Sequence, residues 1–140
     1  MIMKEKILEI FKALGFEMEE MEDLGYAFHY EGKTLVYVYN AENEDLLSIA
    51  LRAIQDIDDK EDISVYKMMD KLNSSLKYIK SFNYFNSIWL FYERELFGNE
   101  DLEQLITNMI LHLDIGYRFF HHKMNDSTDS DDNEDKEDKV

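Results

Sequence analysis

The chain contains neither cysteine nor proline. Without cysteine there is no disulfide, no thiolate nucleophile and no cysteine-ligated zinc, a usage that fits a reducing cytoplasm. Without proline there is neither a polyproline ligand nor a proline-rich linker. Glycine occurs only five times, at isolated positions read as turns or helix stops, and never in a phosphate-cradling loop. Long apolar runs are also missing. Charges interrupt Met1–Ile10, which therefore lacks the roughly 7–15-residue apolar core of a signal peptide. No stretch approaches the ~18 apolar residues of a membrane span. Basic residues are scarce, 15 against 31 acidic, for a net charge of −16. Nucleic acid and anionic membrane both need a positive patch, so neither is an expected partner.

What is present reads as one soluble, cytoplasmic domain with an appended tail. A chain of 140 residues fits a single domain large enough to bury a core without a metal or cross-link. Residues 1–124 mix apolar and charged positions. Residues 125–140 hold eight acids, two lysines and one apolar residue, at the very end; such a segment buries too little to offset its ordering entropy and is expected to be disordered.

Helical spacing of Met3, Ile7, Ile10, Phe11 and Leu14, followed by Gly15, predicts a first helix over residues 3–14. Residues 16–21 form a glutamate-rich extended segment, a candidate edge strand. A hairpin follows over residues 26–40, turning at Glu31-Gly32, and Leu47, Ile49 and Leu51 alternate as another strand. Asp58, Asp59, Glu61 and Asp62 load the start of a second helix, where the dipole favours negative charge, and Val65, Met69, Leu72 and Leu76 mark its buried stripe. Two aromatic strands, residues 77–82 and 88–93, precede a last helix capped by Asn99 and running to about His122. The fold class is α+β: an antiparallel sheet of about five strands with helices on one face, in the order α-β-β-β-α-β-β-α.

No catalytic signature emerges. There is no His-Glu-x-x-His pair and no nucleophile elbow. His29 sits mid-strand, His112 beside the last helix's apolar stripe, and His121 and His122 at its end, where they complement the dipole but point about 100° apart and chelate poorly. Asp129, Asp131 and Asn133 alternate as in a calcium loop, but Glu134 and Val140 stand where glycine and a bidentate glutamate belong. The carboxylates from Glu17 to Asp23 read as a solvated edge. No cofactor and no metal is therefore expected.

The aromatic residues carry the functional expectation. Leu35, Tyr37 and Tyr39 share one side of their strand and Val36 and Val38 the other; Ile88, Leu90 and Tyr92 alternate likewise with Trp89 and Phe91. Neither strand has a polar face, so each needs cover on both sides. If helices cover one face, Tyr37, Tyr39, Trp89 and Phe91 are the candidate partner-binding residues, and the alternative is a second core layer.

Residues 45–54, the acidic break, the Val65–Leu76 helix with Lys71-Leu-Asn, and the final strand pair followed by Asn99-Glu-Asp-Leu-Glu-Gln-Leu-Ile are together similar to the YbjN-like proteins. That resemblance implies the fold of the type III secretion chaperones, which are small, acidic, usually dimeric proteins that cradle a client segment. It implies no chemistry, since the family offers no catalytic motif. The expected function is a non-enzymatic, chaperone-like or regulatory protein-binding module, homodimeric through its aromatic sheet face or last helix. The alternatives are a secretion chaperone for an exported effector and a small-molecule-binding protein.

Overall fold

The computed structural model describes residues 3–57 and 63–129. Its elements are α1 (Met3–Ala13), β1 (Glu19–Met21), β2 (Gly25–Tyr30), β3 (Lys33–Val38), β4 (Leu46–Asp56), α2 (Ile63–Ser75), β5 (Ile79–Tyr84), β6 (Ser87–Glu95) and α3 (Leu102–Asp129). The fold is α+β. Six antiparallel strands form one open sheet in the order β1-β2-β3-β4-β6-β5. The sixth strand is the glutamate-rich edge: Glu19–Met21 pairs with Ala27–Gly25.

The expected hairpin turns where its sequence requires. Glu31 and Gly32 both have positive φ, 48° and 78°, the signs of the two-residue turn that matches strand twist. Gly25 begins β2 with φ 152°, and a Cβ there would run into the Tyr37 carbonyl oxygen. Strand β4 is longer than its alternation implies because it carries a bulge. Leu51 pairs with Leu90 and Gln55 with Ile88, and Ala53 in between adopts φ 43°; the extra residues bend the strand.

All three helices lie on one side. Ile7 and Phe11 of α1, Val65, Met68 and Leu72 of α2, and Ile106, Met109, Ile110, Leu113 and Phe120 of α3 enter one core with Phe28, Leu35, Leu47, Ile49, Leu51, Ile79, Ile88 and Leu90. Full burial of one such side chain contributes about 1.5–3 kcal/mol, so α3, with the most buried positions, is the main closing element. Gly116 is not a turn or stop. It sits within α3 where the helix meets the sheet, and a Cβ there would lie 3.1 Å from Leu90 Cδ1 and 3.3 Å from Ile79 Cγ2.

Two helix ends differ from expectation. Asp101, not Asn99, caps α3: its Oδ1 accepts the Gln104 N–H at 3.2 Å, the usual reach of a cap to the third helical residue. Glu100 instead accepts the Phe97 N–H at 2.7 Å, the Gly98 N–H at 3.0 Å and Arg94 Nη2 at 2.9 Å. These backbone bonds, with the nearby guanidinium, hold its carboxyl below the ordinary range. The helix also continues past His122 to Asp129, into the first residues of the segment read as disordered. Residues 130–140 and the acids Asp58, Asp59, Glu61 and Asp62 lie outside the described residues.

Candidate functional site

Strand parity defines two faces, and inter-strand register decides which residues share them. One row across the sheet reads Tyr26, Tyr37, Ile49, Tyr92 and Ile79; the next reads Ala27, Val36, Ala50, Phe91 and Lys80. The first row faces the helices. Tyr37 is therefore 2% exposed, with its ring 5.7 Å from Phe11 and 6.1 Å from Tyr26, and burial raises its phenol far above the usual range. Tyr39 lies at the rim of that face. Its hydroxyl donates to Glu44 Oε1 at 3.1 Å, and the Lys4 ammonium sits 4.9 Å from its ring.

Trp89 and Phe91 lie on the opposite face, which no described helix covers. The four candidate residues do not form one wall: Tyr37 and Tyr39 belong to the helix side, Trp89 and Phe91 to the free side. On the free face, Val36, Ala50 and Trp89 make a small second core, packed by Met21, Leu24, Val38, Tyr84 and Phe91. The indole of Trp89 stacks on Phe91 at 6.1 Å and meets Tyr84 edge-on at 5.0 Å. These neighbours leave it 4% exposed. Phe82 packs edge-on against Phe91 at 5.4 Å yet remains 47% exposed, and Phe85 at the hairpin tip is 76% exposed. The exposed aromatic patch on this face is thus Phe82, Tyr84, Phe85 and Phe91 over buried Trp89. Phe82, Tyr84 and Phe85 are absent from the sequence-derived set. The signal for them was the shared parity of Phe82 and Tyr84 once β5 is registered on β6.

Polar groups border this patch. Ser48 Oγ donates to Glu93 Oε2 at 3.1 Å, and Ser87 Oγ donates to Asp56 Oδ1 at 3.1 Å. His29 lies on the same face, its Nδ1 3.3 Å from Thr34 Oγ1.

Both sheet edges are blunted. Strand β1 is three residues long and carries Glu19 and Glu20. At the β5 edge, Asn73 of α2 closes the outward backbone of Ser81: its Oδ1 accepts the Ser81 N–H at 2.6 Å and Oγ at 2.9 Å, while its Nδ2 donates to the Ser81 carbonyl at 3.3 Å. One carboxamide thereby stands in for the strand that would otherwise add there.

Two further histidines, His112 and His121, pack against aromatic rings. His112 Nδ1 donates to the Asn108 carbonyl at 2.7 Å, and its ring lies 5.6 Å from Tyr78 and 5.9 Å from Tyr92. His121 packs on Tyr117 at 4.4 Å, and desolvation lowers its pKa. A depression of about 750 Å³ beside Ile115, Tyr117, Arg118, Phe119, His121 and His122 is lined by α3 alone among the described residues. Among the described residues no group of three or more His, Asp or Glu side chains could hold a metal ion, and no helix is long and apolar enough to cross a membrane. A scan against models of known protein families finds none that matches the chain, and a search of curated proteins finds no match.

Proposed function

We propose that the chain is a non-enzymatic protein-binding or regulatory module, chaperone-like in holding part of another polypeptide in the cytoplasm. Its docking surface is the helix-free face of the sheet. One observation carries this reading: a six-stranded sheet sealed by helices on one side bears on the other exposed Phe82 and Phe85 with half-buried Tyr84 and Phe91. Aromatic rings concentrated on an uncovered, pre-ordered surface are what protein interfaces use as anchors. The architecture also agrees with what the resemblance to YbjN-like proteins and the type III secretion chaperone fold implies, and that kinship is part of the proposal.

The homodimer is assigned to α3. Leu111 and Ile115 are exposed there, with half-buried Phe119 one turn further on, a spacing that forms one stripe. Dimerisation by this stripe leaves the sheet face free for a partner.

A photo-crosslinking residue placed at position 82, in the full chain expressed in its host, tests the docking surface. The expected result is one dominant adduct that a crosslinker at exposed Glu9 does not give. Equal adduct patterns from the two positions would remove the reading. Light scattering separates the dimer: Ile115→Glu should yield a monomer and Phe82→Ser should not. The reverse outcome would put the second copy on the sheet.

A further inference from the structure

We infer that the helix-free face takes an amphipathic helix of about 13 residues whose apolar stripe packs on Phe82, Tyr84 and Phe91 and whose two ends carry lysine or arginine. This deepens the docking-surface reading and rests on it.

The form of the partner follows from hydrogen bonding. An extended segment laid on a sheet face would bury its own backbone donors and acceptors unpaired. It could satisfy them by adding to an edge, but Asn73 occupies the β5 edge at Ser81 and β1 is short and acidic. A helix satisfies its backbone internally, and helices already cover the other face.

The charge of the partner follows from what brackets the rings. Along β6, Ser87, paired with Asp56 of β4, precedes Trp89 and Phe91, and Glu93 and Glu95 follow. Acid therefore stands at both ends of the aromatic rows. From Glu93 to Ser87 is six strand steps of about 3.4 Å, or about 20 Å, a span that about 13 helical residues cover at about 1.5 Å each. None of the ion pairs among the described residues uses Asp56, Glu93 or Glu95. Among the described residues, Lys80, opposite Phe91 on the edge strand, is a cation on this side. Two copies of the face would oppose these carboxylates in molecules of net charge −16, so a second copy is disfavoured where a cationic segment is attracted.

The hairpin tip supplies an independent observation. Phe85 and Asn86 have φ of 53° and 59°, positions that favour Asn and Gly. A phenylalanine held there carries backbone strain while exposing its ring, and such strain concentrates at recognition sites.

The probe is a synthetic 14-residue leucine-striped helix with lysines at both ends, compared with the same peptide ending in glutamates and with a lysine-matched scramble. Trp89, the single tryptophan, reports binding by its emission. The lysine peptide should bind at least tenfold tighter than either control, weaken with salt, and lose at least tenfold with Phe82→Ser. The triple change Asp56→Asn, Glu93→Gln, Glu95→Gln should lose several-fold and flatten the salt dependence, whereas Glu5→Gln, Glu9→Gln on α1 should match the unmodified chain. Equal binding of the lysine and glutamate peptides, or of the scramble, would overturn the inference and leave the docking surface to the crosslink at position 82. Lysine-peptide binding unaffected by Phe82→Ser would also overturn it, by moving the peptide elsewhere. If the crosslink at position 82 fails as well, both readings fall.

Discussion

Replacing Asp114 by leucine should cost about 3 kcal/mol, and replacing its partner as well should recover most of that loss. Asp114 projects from α3 with its side chain 7% exposed, and Lys33, at the start of β3, points at it with 16% exposure. Lys33 Nζ lies 3.0 Å from Oδ1 but outside hydrogen-bond alignment, so the attraction is chiefly Coulombic. At an effective dielectric constant near 20, that separation corresponds to about 5 kcal/mol before desolvation. The second cation, Arg118, is 2.8 Å from Oδ2 but 69% exposed, and an exposed pair contributes little. Removing the carboxylate strands Lys33 between the rings of Tyr117, at 5.0 Å, and Tyr30, at 5.9 Å. Those rings and the residual exposure keep the loss towards the lower end of the roughly 3–5 kcal/mol typical of a broken buried pair. A chain of this length unfolds with about 0.3 kcal/mol per kelvin, so the melting temperature should fall by about 10 °C. The assay is a double-mutant cycle by urea denaturation of wild type, Asp114→Leu, Lys33→Met and the double variant. The double variant should lie within about 1 kcal/mol of wild type, giving a coupling of about 2 kcal/mol or more. Additive single losses, or a loss under about 1 kcal/mol for Asp114→Leu, would refute the reasoning.

Three further outcomes follow from local geometry. Gly25→Ala drives a Cβ into the Tyr37 carbonyl at a backbone φ of 152° and should destabilise by about 3 kcal/mol; an unchanged urea midpoint would contradict it. Asn73→Ala uncovers the Ser81 N–H and carbonyl, costing about 2 kcal/mol and opening the β5 edge to strand addition. Light scattering after prolonged incubation should show aggregation that wild type lacks, and equal stability and solubility would refute the plug. His121 has its pKa lowered by burial, partly offset by the Ile54 carbonyl. The unfolded state therefore binds more protons, and this contribution is fully present above the unfolded pKa near ~6.5 and lost as pH falls through the lower folded value. Melting curves between pH 7.5 and 5 should show that loss, and His121→Phe should reduce it; an unaltered pH profile would exclude His121 as the source.

Much of the fold was legible because its elements obey their periods. Ile7 and Phe11 recur at helical spacing, Glu31-Gly32 is a turn dipeptide, and Ile88, Leu90 and Tyr92 alternate cleanly with Trp89 and Phe91. The candidate site was legible only within single strands. Parity states which residues share a side of one strand, but not how that side aligns with a strand reached through a helix. Register between β4 and β6 joins Ile49 to Tyr92 and Ala50 to Phe91, which sends Tyr37 to the helices and Phe91 away from them. The bulge at Ala53 and the close approach at Gly116 were equally hidden, since each answers to a neighbour distant in sequence. The cap lies at Asp101 and not Asn99 because the backbone enters the helix only after Glu100, whose carboxylate turns back to the Phe97 and Gly98 N–H groups.

The place of α3 in the chain sets a schedule for folding. Strands β1 to β4 pair with sequence neighbours through short connections, contacts that close early at little entropic cost. The buried residues of α3, from Ile106 to Phe120, come after every strand. During synthesis a complete sheet can therefore exist with α3 not yet laid on it, leaving the apolar surface that α3 later covers temporarily bare. For that interval the nascent chain would itself be the aggregation-prone species, and the rate at which α3 docks, more than the final stability, would govern how much of the protein survives its own production.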